Sequence, residues 1–287
     1  EPAAFSSRIT AEVQAGKVTA GVIGALYGEL AQFAPDRLED LSDLAQKLSG
    51  SGYTQDMLDL AKFGTNKTYF IPWMQATYVV CANKSALEHL PSGADVNNLT
   101  YDQFLAWARE ARARNGNRPV FGIPGGPKGL LHRFVQGYLY PSFTGGQITT
   151  FRSADAVTMW EYIKELWTYM VPASTTFEFM QEPLASNQVQ VAWDHVARLA
   201  DAPNNAPNDF VMVPAPRGPK GRGYMSVLAG LAIPKGAPRI EDGKALIEAL
   251  SRPNVQIDVL RQNAFFPAVN AQIPNNLPAG IRLEATA

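Results

Sequence analysis

The chain has 287 residues, enough for a sizeable core shared between two lobes, and its formal net charge of −1 with 18% charged residues argues against a nucleic-acid partner and against disorder. Its longest apolar runs, near Tyr78–Ala82 and Val227–Ile233, are of strand length and far short of the ~20 residues of a membrane span. The single cysteine, Cys81, excludes an internal disulfide and a thiolate metal site, and its apolar neighbours describe a buried small hydrophobe rather than a nucleophile.

In chain order, Phe5, Ile9 and Val13 stand at helical spacing, and Gly16 stops that helix before a strand at Val18–Ile23. A helix begins near Tyr27, and short helices follow at Asp40–Leu48 and Thr54–Lys62. Strand Thr68–Ile71 leads through Pro72-Trp73 into a second strand, Thr77–Ala82, with the proline marking a bend or crossing. Thr100 and Gln103 form a capping box for a helix that buries Phe104, Ala108 and Ala111. Strand Val120–Ile123 ends in Pro124-Gly125-Gly126-Pro127-Lys128-Gly129, which opens a helix over Leu130–Tyr138. The long helix Ala154–Met170 carries Val157, Trp160, Ile163 and Trp167 on one side, expected to face the core. Strands at Asp209–Val213 and Val227–Ile233 enclose a Gly-rich basic turn, and helices follow at Pro238–Leu250 and from Val255. Alternation of strands with helices predicts an α/β architecture with mostly parallel sheets.

The run Gln188–Leu199 carries the densest chemistry. Val189, Val191 and Trp193 alternate on one face of a strand that ends in Asp194, His195 and Arg198. A flat aromatic beside hydrogen-bonding groups suits a sugar ring, while a core tryptophan with a capping aspartate fits the same residues. His195 as a catalytic base with Asp194 or Arg198 is the hydrolase or transferase alternative, although neighbours on an extended chain point to opposite sides. Gly125 and Gly126 offer backbone amides to a polar ligand or form a plain turn, without the spacing of a phosphate-binding loop. Trp73, Gln75, Tyr224, Phe265 and Phe266 are either walls of a ligand site or core. The histidines lack metal-ligand spacing, so neither a metal nor a cofactor is expected.

Taken in order, these pieces resemble the maltose-binding-like group of bacterial extracellular solute-binding proteins of sugar importers. The resemblance lies in the first helix and strand, Leu41-Ser42-Asp43-Leu44, Ile71-Pro72-Trp73, Asn83-Lys84 and Leu99-Thr100-Tyr101-Asp102. It continues through Ala215-Pro216 to Tyr224, Leu228–Gly236, and Ser251-Arg252-Pro253-Asn254-Val255-Gln256. It covers nearly the whole chain through many short motifs. It implies a two-lobed periplasmic-binding-protein-like α/β fold of type II, with several interlobe crossings and a ligand cleft between lobes. One lobe would hold residues 1–83 and 224–262, the other 84–223 and 263–287, both chain ends being shorter than in the family. The site it implies comprises Trp73, Gln75, Gly125, Gly126, Trp193, Asp194, His195, Arg198, Tyr224, Phe265 and Phe266. The family's frequent acidic residue on the first crossing strand is replaced by Ala76. The implied function is non-enzymatic capture of a carbohydrate by lobe closure and delivery to an ABC permease. The implied protein is a monomer, periplasmic or extracellular, in some cases tethered as a lipoprotein. A non-sugar solute is the neighbouring alternative.

Overall fold

A computed structural model describes residues 2–146 and 151–287; Glu1 and residues 147–150, within the two expected lobe ranges, lie outside the described residues. Its strands are β1 (Ile23–Leu26), β2 (Ile71–Ala76), β3 (Tyr78–Asn83), β4 (Phe121–Gly122), β5 (Val191–His195), β6 (Phe210–Pro214), β7 (Val227–Ala232) and β8 (Phe266–Pro267). Contacts divide the chain into two compact units, Glu1–Ala76 with Ser226–Pro274 and Thr77–Met225 with Asn275–Ala287. The chain therefore passes between units after Ala76, after Met225 and after Pro274. Strand β3, assigned to the first lobe on sequence, pairs inside the second unit, and residues 263–274 belong to the first.

The first unit is built on a sheet of order β1-β7-β2-β8, antiparallel throughout. Helix Pro2–Gln14 lays Phe5, Ile9 and Val13, as their spacing predicts, against Leu30, Phe33, Phe70 and Leu228. A second cluster gathers Leu41, Leu44, Ile71, Leu231, Ile233 and Ile247, with Trp73 against it. Leu228 and Ala232 go to one cluster and Leu231 and Ile233 to the other, as side-chain alternation along β7 requires. The strand expected at Val18–Ile23 starts only at Ile23. Pro72 lies inside β2, at a register shift opposite Gly230, where β8 pairs only with Met74 and Gln75. A bulge with one unpaired side tolerates the missing N–H, so the chain crosses four residues beyond Pro72 instead of at it.

The second unit carries the sheet β4-β5-β3-β6, in which β3 runs antiparallel to both neighbours and β4 pairs parallel with β5. The expectation of mostly parallel sheets is thus corrected. Periodicity locates strands but not their partners, and here successive strands such as β2 and β3 enter different sheets. Thr100 accepts from the Gln103 amide at 3.1 Å and its own N–H donates to the Gln103 side chain at 2.9 Å, which completes the capping box of helix Tyr101–Arg114. Trp107 of that helix is fully buried, its indole N–H donating to the Ala86 carbonyl at 2.7 Å. Cys81 is fully buried on β3, and burial, aided by the Glu284 carboxyl, pushes its thiol pKa up.

Two helical expectations change. The buried row of helix Ala154–Trp167 is Ala156, Met159, Tyr162 and Leu166, while Val157 and Trp160 are exposed. Tyr162 sets this rotation by donating its hydroxyl to the Tyr101 carbonyl at 2.9 Å inside the core. The segment after Leu130 is a composite of one helical turn, Leu131–Arg133, a π-helical turn, Phe134–Leu139, and a short helix, Tyr140–Thr144.

Gly230 exposes the tightest point of the first unit, because a Cβ there would fall on the ring of Phe70, itself fully buried. Gly230→Ala is expected to cost about 1–3 kcal/mol through overpacking, read as a lowered urea midpoint; an unchanged midpoint would show that Phe70 moves aside freely.

Candidate functional site

The sequence-predicted cluster at the end of β5 splits across the two faces of its sheet. Trp193 stands opposite Val80 and His195 opposite Tyr78 in the β3–β5 register, so Trp193, His195 and Tyr78 share a face. Tyr78 lies parallel to the Trp193 indole, 5° apart at 4.9 Å between centroids. Phe134 and Tyr138 from the π-helical turn meet the indole edge-on at 5.1 and 5.4 Å. Trp193 is 2% exposed, and its indole N–H has no hydrogen-bond partner among the described residues. His195 meets Tyr78 edge-on at 5.2 Å, and its Nδ1 accepts from the Ala197 amide at 3.2 Å. Burial, reinforced by Arg198, pushes the His195 pKa down to about 4.

Asp194 points to the other face. It is fully buried and accepts the Met180 N–H at 3.1 Å and the His195 backbone N–H at 2.7 Å, so it fastens the segment before Gln181 to the end of β5. Burial pushes its pKa up to about 7 against the weaker pull of those amides and of Arg198. The carboxyl therefore does not orient the His195 imidazole, which is the geometry a catalytic base would need.

Gly125 and Gly126 are not an open amide cradle. The Gly125 N–H donates to the Ser174 carbonyl at 2.9 Å and the Gly126 N–H to the Phe177 carbonyl at 2.8 Å. A Cβ at Gly126 would lie 2.7 Å from the Thr176 carbonyl oxygen, so only glycine permits this approach. The two loops are zipped together by backbone, and Arg198 completes the seam. Its Nη1 donates to the carbonyls of Lys128 at 3.2 Å and Glu178 at 3.1 Å, and its guanidinium lies 4.5 Å from the centre of the Phe179 ring.

This seam presents a group the sequence reading missed. Phe179 is 43% exposed and borders a hollow of about 400 Å³, with Glu178, Gln181, Glu182 and Gln188 among its lining. Phe179 sits in an irregular stretch, where no periodicity marks it. Its one sequence signal is position between Glu178 and Gln181. Of the predicted residues, Arg198 lies over the Phe179 ring at the edge of this hollow, whereas Trp193, Asp194 and His195 are buried.

The other predicted positions are placed separately. In the second unit, Tyr224 is 59% exposed, with its ring 6.5 Å from that of Tyr138. In the first, Trp73 is half-buried at the β2 bulge, its indole N–H enclosed without a partner among the described residues. Gln75 donates its side-chain amide to the Pro267 carbonyl at 2.9 Å, and Phe265 and Phe266 are half-buried beside it in sequence and pairing.

Residues 3–257 match the sequence profile of the bacterial extracellular solute-binding protein family. No curated protein sequence matches the chain. Similar solved structures include maltose-bound MalE3 of T. maritima, 18% identical with a TM-score of 0.77 over 98% of this chain and 73% of that one. The GacH receptor of Streptomyces glaucescens, solved unliganded and with acarbose, is 18% identical with a TM-score of 0.73 over 92% and 69%. UgpB of Mycobacterium tuberculosis in complex with glycerophosphocholine is 19% identical with a TM-score of 0.73 over 98% and 80%.

The opposed pKa shifts of adjacent residues set a pH test. Folded Asp194 keeps its proton to about pH 7 against about 4 when unfolded, so its stabilisation is full below pH 4 and declines as pH rises to 7. His195 works the other way, because the unfolded imidazole takes a proton near pH 6.5 and the folded one only near 4, so stability is lost as pH falls between them. Relative to wild type, Asp194→Asn is expected to make stability rise more steeply from pH 4 to 6.5, and His195→Gln to make it fall more steeply from pH 4 to 7. Urea midpoints across this range measure both, and three parallel curves would contradict the assignment.

Proposed function

Because the chain belongs to the bacterial extracellular solute-binding proteins, we propose that it captures a carbohydrate outside the cytoplasm and delivers it to the permease of an ABC importer. The observation that carries the solute class is the Phe179 ring at the rim of a hollow lined by Glu178, Glu182, Gln181 and Gln188. A pyranose offers C–H faces to an aromatic plane and hydroxyls to carboxylates and amides, which is the combination assembled here. The maltose on T. maritima MalE3 and the acarbose on the GacH receptor agree with that chemistry.

In this reading Phe179 is the platform and Arg198 its support, with Tyr224 a second exposed ring of the same unit. Asp194 fastens Met180 to the end of β5 while Trp193 and His195 pack on the opposite face of that strand, and Gly125 and Gly126 allow the loops to meet. Trp73, Gln75, Phe265 and Phe266 are the contacts proposed for the first unit. Capture is coupled to movement of the units through their linking segments. The protein acts as a monomer, periplasmic or surface-tethered through a lipid, and returns its solute chemically unchanged. No helix of the described residues is long and apolar enough to cross a membrane. The glycerophosphocholine on UgpB favours a second reading, a zwitterionic phosphodiester. Against it, the lining carboxylates repel a phosphate, and Arg198 Nη1 is engaged by two carbonyls.

A thermal-shift panel of mono- and oligosaccharides, including maltose and acarbose, is expected to raise the melting temperature for at least one sugar. Glycerophosphocholine alone raising it would transfer the assignment to the second reading. Phe179→Ala is expected to weaken the bound sugar roughly threefold to tenfold, since an aromatic contact is worth about 0.5–1.5 kcal/mol. Chromatography of sugar incubated with the protein should recover it intact, and new products would overturn the non-catalytic reading.

A further inference from the structure

Through its hydroxyl, Tyr138 makes bonds that the solute site does not use. Its ring is buried against Trp193 and Tyr78, while its hydroxyl reaches the places where the chain leaves the second unit. The phenol oxygen lies 3.0 Å from Thr77 Oγ1, accepts the Tyr78 N–H at 3.2 Å and donates to the Met225 carbonyl at 3.4 Å. A phenol has one proton to give and two lone pairs to receive with, so donation to Met225 and acceptance from Thr77 and Tyr78 saturate it. Thr77 is the first residue after one crossing, and Met225 the last before another.

The surroundings are built to keep this junction closed. A Cβ on Gly137 would stand 2.6 Å from the Met225 side chain, and Arg133 Nη1 lies 3.6 Å from Met225 Sδ. The Gly223 N–H donates to Ser142 Oγ at 2.6 Å, and a Cβ on Gly223 would fall on the Tyr138 carbonyl oxygen. Gly137 and Tyr138 belong to the π-helical turn Phe134–Leu139, a departure from regular helix of a kind concentrated at functional positions. Burial pushes the Tyr138 pKa up to about 12, so the donated proton stays in place at physiological pH.

We propose that Tyr138 is a positioning residue for solute capture, whose hydroxyl ties two of the linking segments to one point of the solute-binding unit. Resting on the function proposed above, this makes the junction the place where the Trp193 cluster behind the site and the segments that carry movement share one side chain. Loss of the hydroxyl frees the linkers without removing the ring from the Trp193 cluster.

The test compares Tyr138→Phe with Tyr162→Phe, which removes another buried tyrosine hydroxyl bond, to the Tyr101 carbonyl, away from the crossings. Amide exchange at Tyr78 and the distribution of distances between one spin label in each unit are measured on the full chain without solute. Tyr138→Phe is expected to speed Tyr78 exchange at least tenfold and broaden the distances, with Tyr162→Phe changing neither. Both variants behaving alike would reduce Tyr138 to a packing residue and overturn the proposal. Should Tyr138→Phe not fold, Thr77→Val removes the partner hydroxyl and must broaden the distances in its place; an unchanged distribution there overturns the proposal equally. Because neither measurement uses a solute, a failure to bind any sugar counts against the proposed function and leaves this test intact.

Discussion

The parallel contact between Tyr78 and Trp193 is the constraint on which the second unit's site depends. Once the β3–β5 register stacks these rings on one face, with Phe134 and Tyr138 closing the edges, the next residue along β5 must turn to the opposite face. That residue is Asp194, and there its carboxyl collects the Met180 amide. The segment from Ser174 to Met180 is thereby held at one end by a side chain and in its middle by the amides of Gly125 and Gly126. Phe179, next to Met180, is left exposed.

Adjacent Asp194 and His195 illustrate how burial acts on opposite charge types. Desolvation disfavours the ionised form of each, so it raises the acid and lowers the base, and both tend toward neutrality inside the unit. A protonated Asp194 below about pH 7 and an unprotonated His195 avoid uncompensated buried charge, while the Arg198 guanidinium lies across Phe179 and donates to carbonyl oxygens. Of the polar run that the sequence reads as either a sugar contact or a capped strand end, Asp194 bonds the Met180 and His195 amides and Arg198 the Lys128 and Glu178 carbonyls.

Much of the fold was readable because its signals are local. The spacing of Phe5, Ile9 and Val13, the Thr100–Gln103 capping box, and the apolar setting of Cys81 each depend on a few neighbouring residues. Two readings failed, and a third stayed open, where distant partners decide. The face of helix Ala154–Trp167 was drawn through its tryptophans, but a hydrogen bond from Tyr162 to Tyr101, 61 positions away, rotates it to Ala156 and Met159. For Gly125 and Gly126 the sequence left both offered amides and a plain turn, because the acceptors of these amides lie about 50 residues downstream. Parallel sheets were inferred from alternating elements, whereas crossings after Ala76 and Met225 send successive strands to separate sheets. Trp193 was recognised as central, and its role as a buried support became visible only with Tyr78, Phe134 and Tyr138 around it.

The fold is shared with MalE3 and the GacH receptor at 18% identity. The seam beneath Phe179 is closed largely by main-chain groups, namely Gly125 N–H to Ser174, Gly126 N–H to Phe177 and the carbonyls that accept from Arg198. Main-chain bonds ask little of side-chain identity beyond the glycines that permit close approach. The side chains of Phe179 and Glu182 are exposed and take no part in these main-chain bonds. Framework and exposed edge are therefore carried by different atoms of the same segment, so the residues proposed to meet the solute are those with the weakest imprint on sequence periodicity.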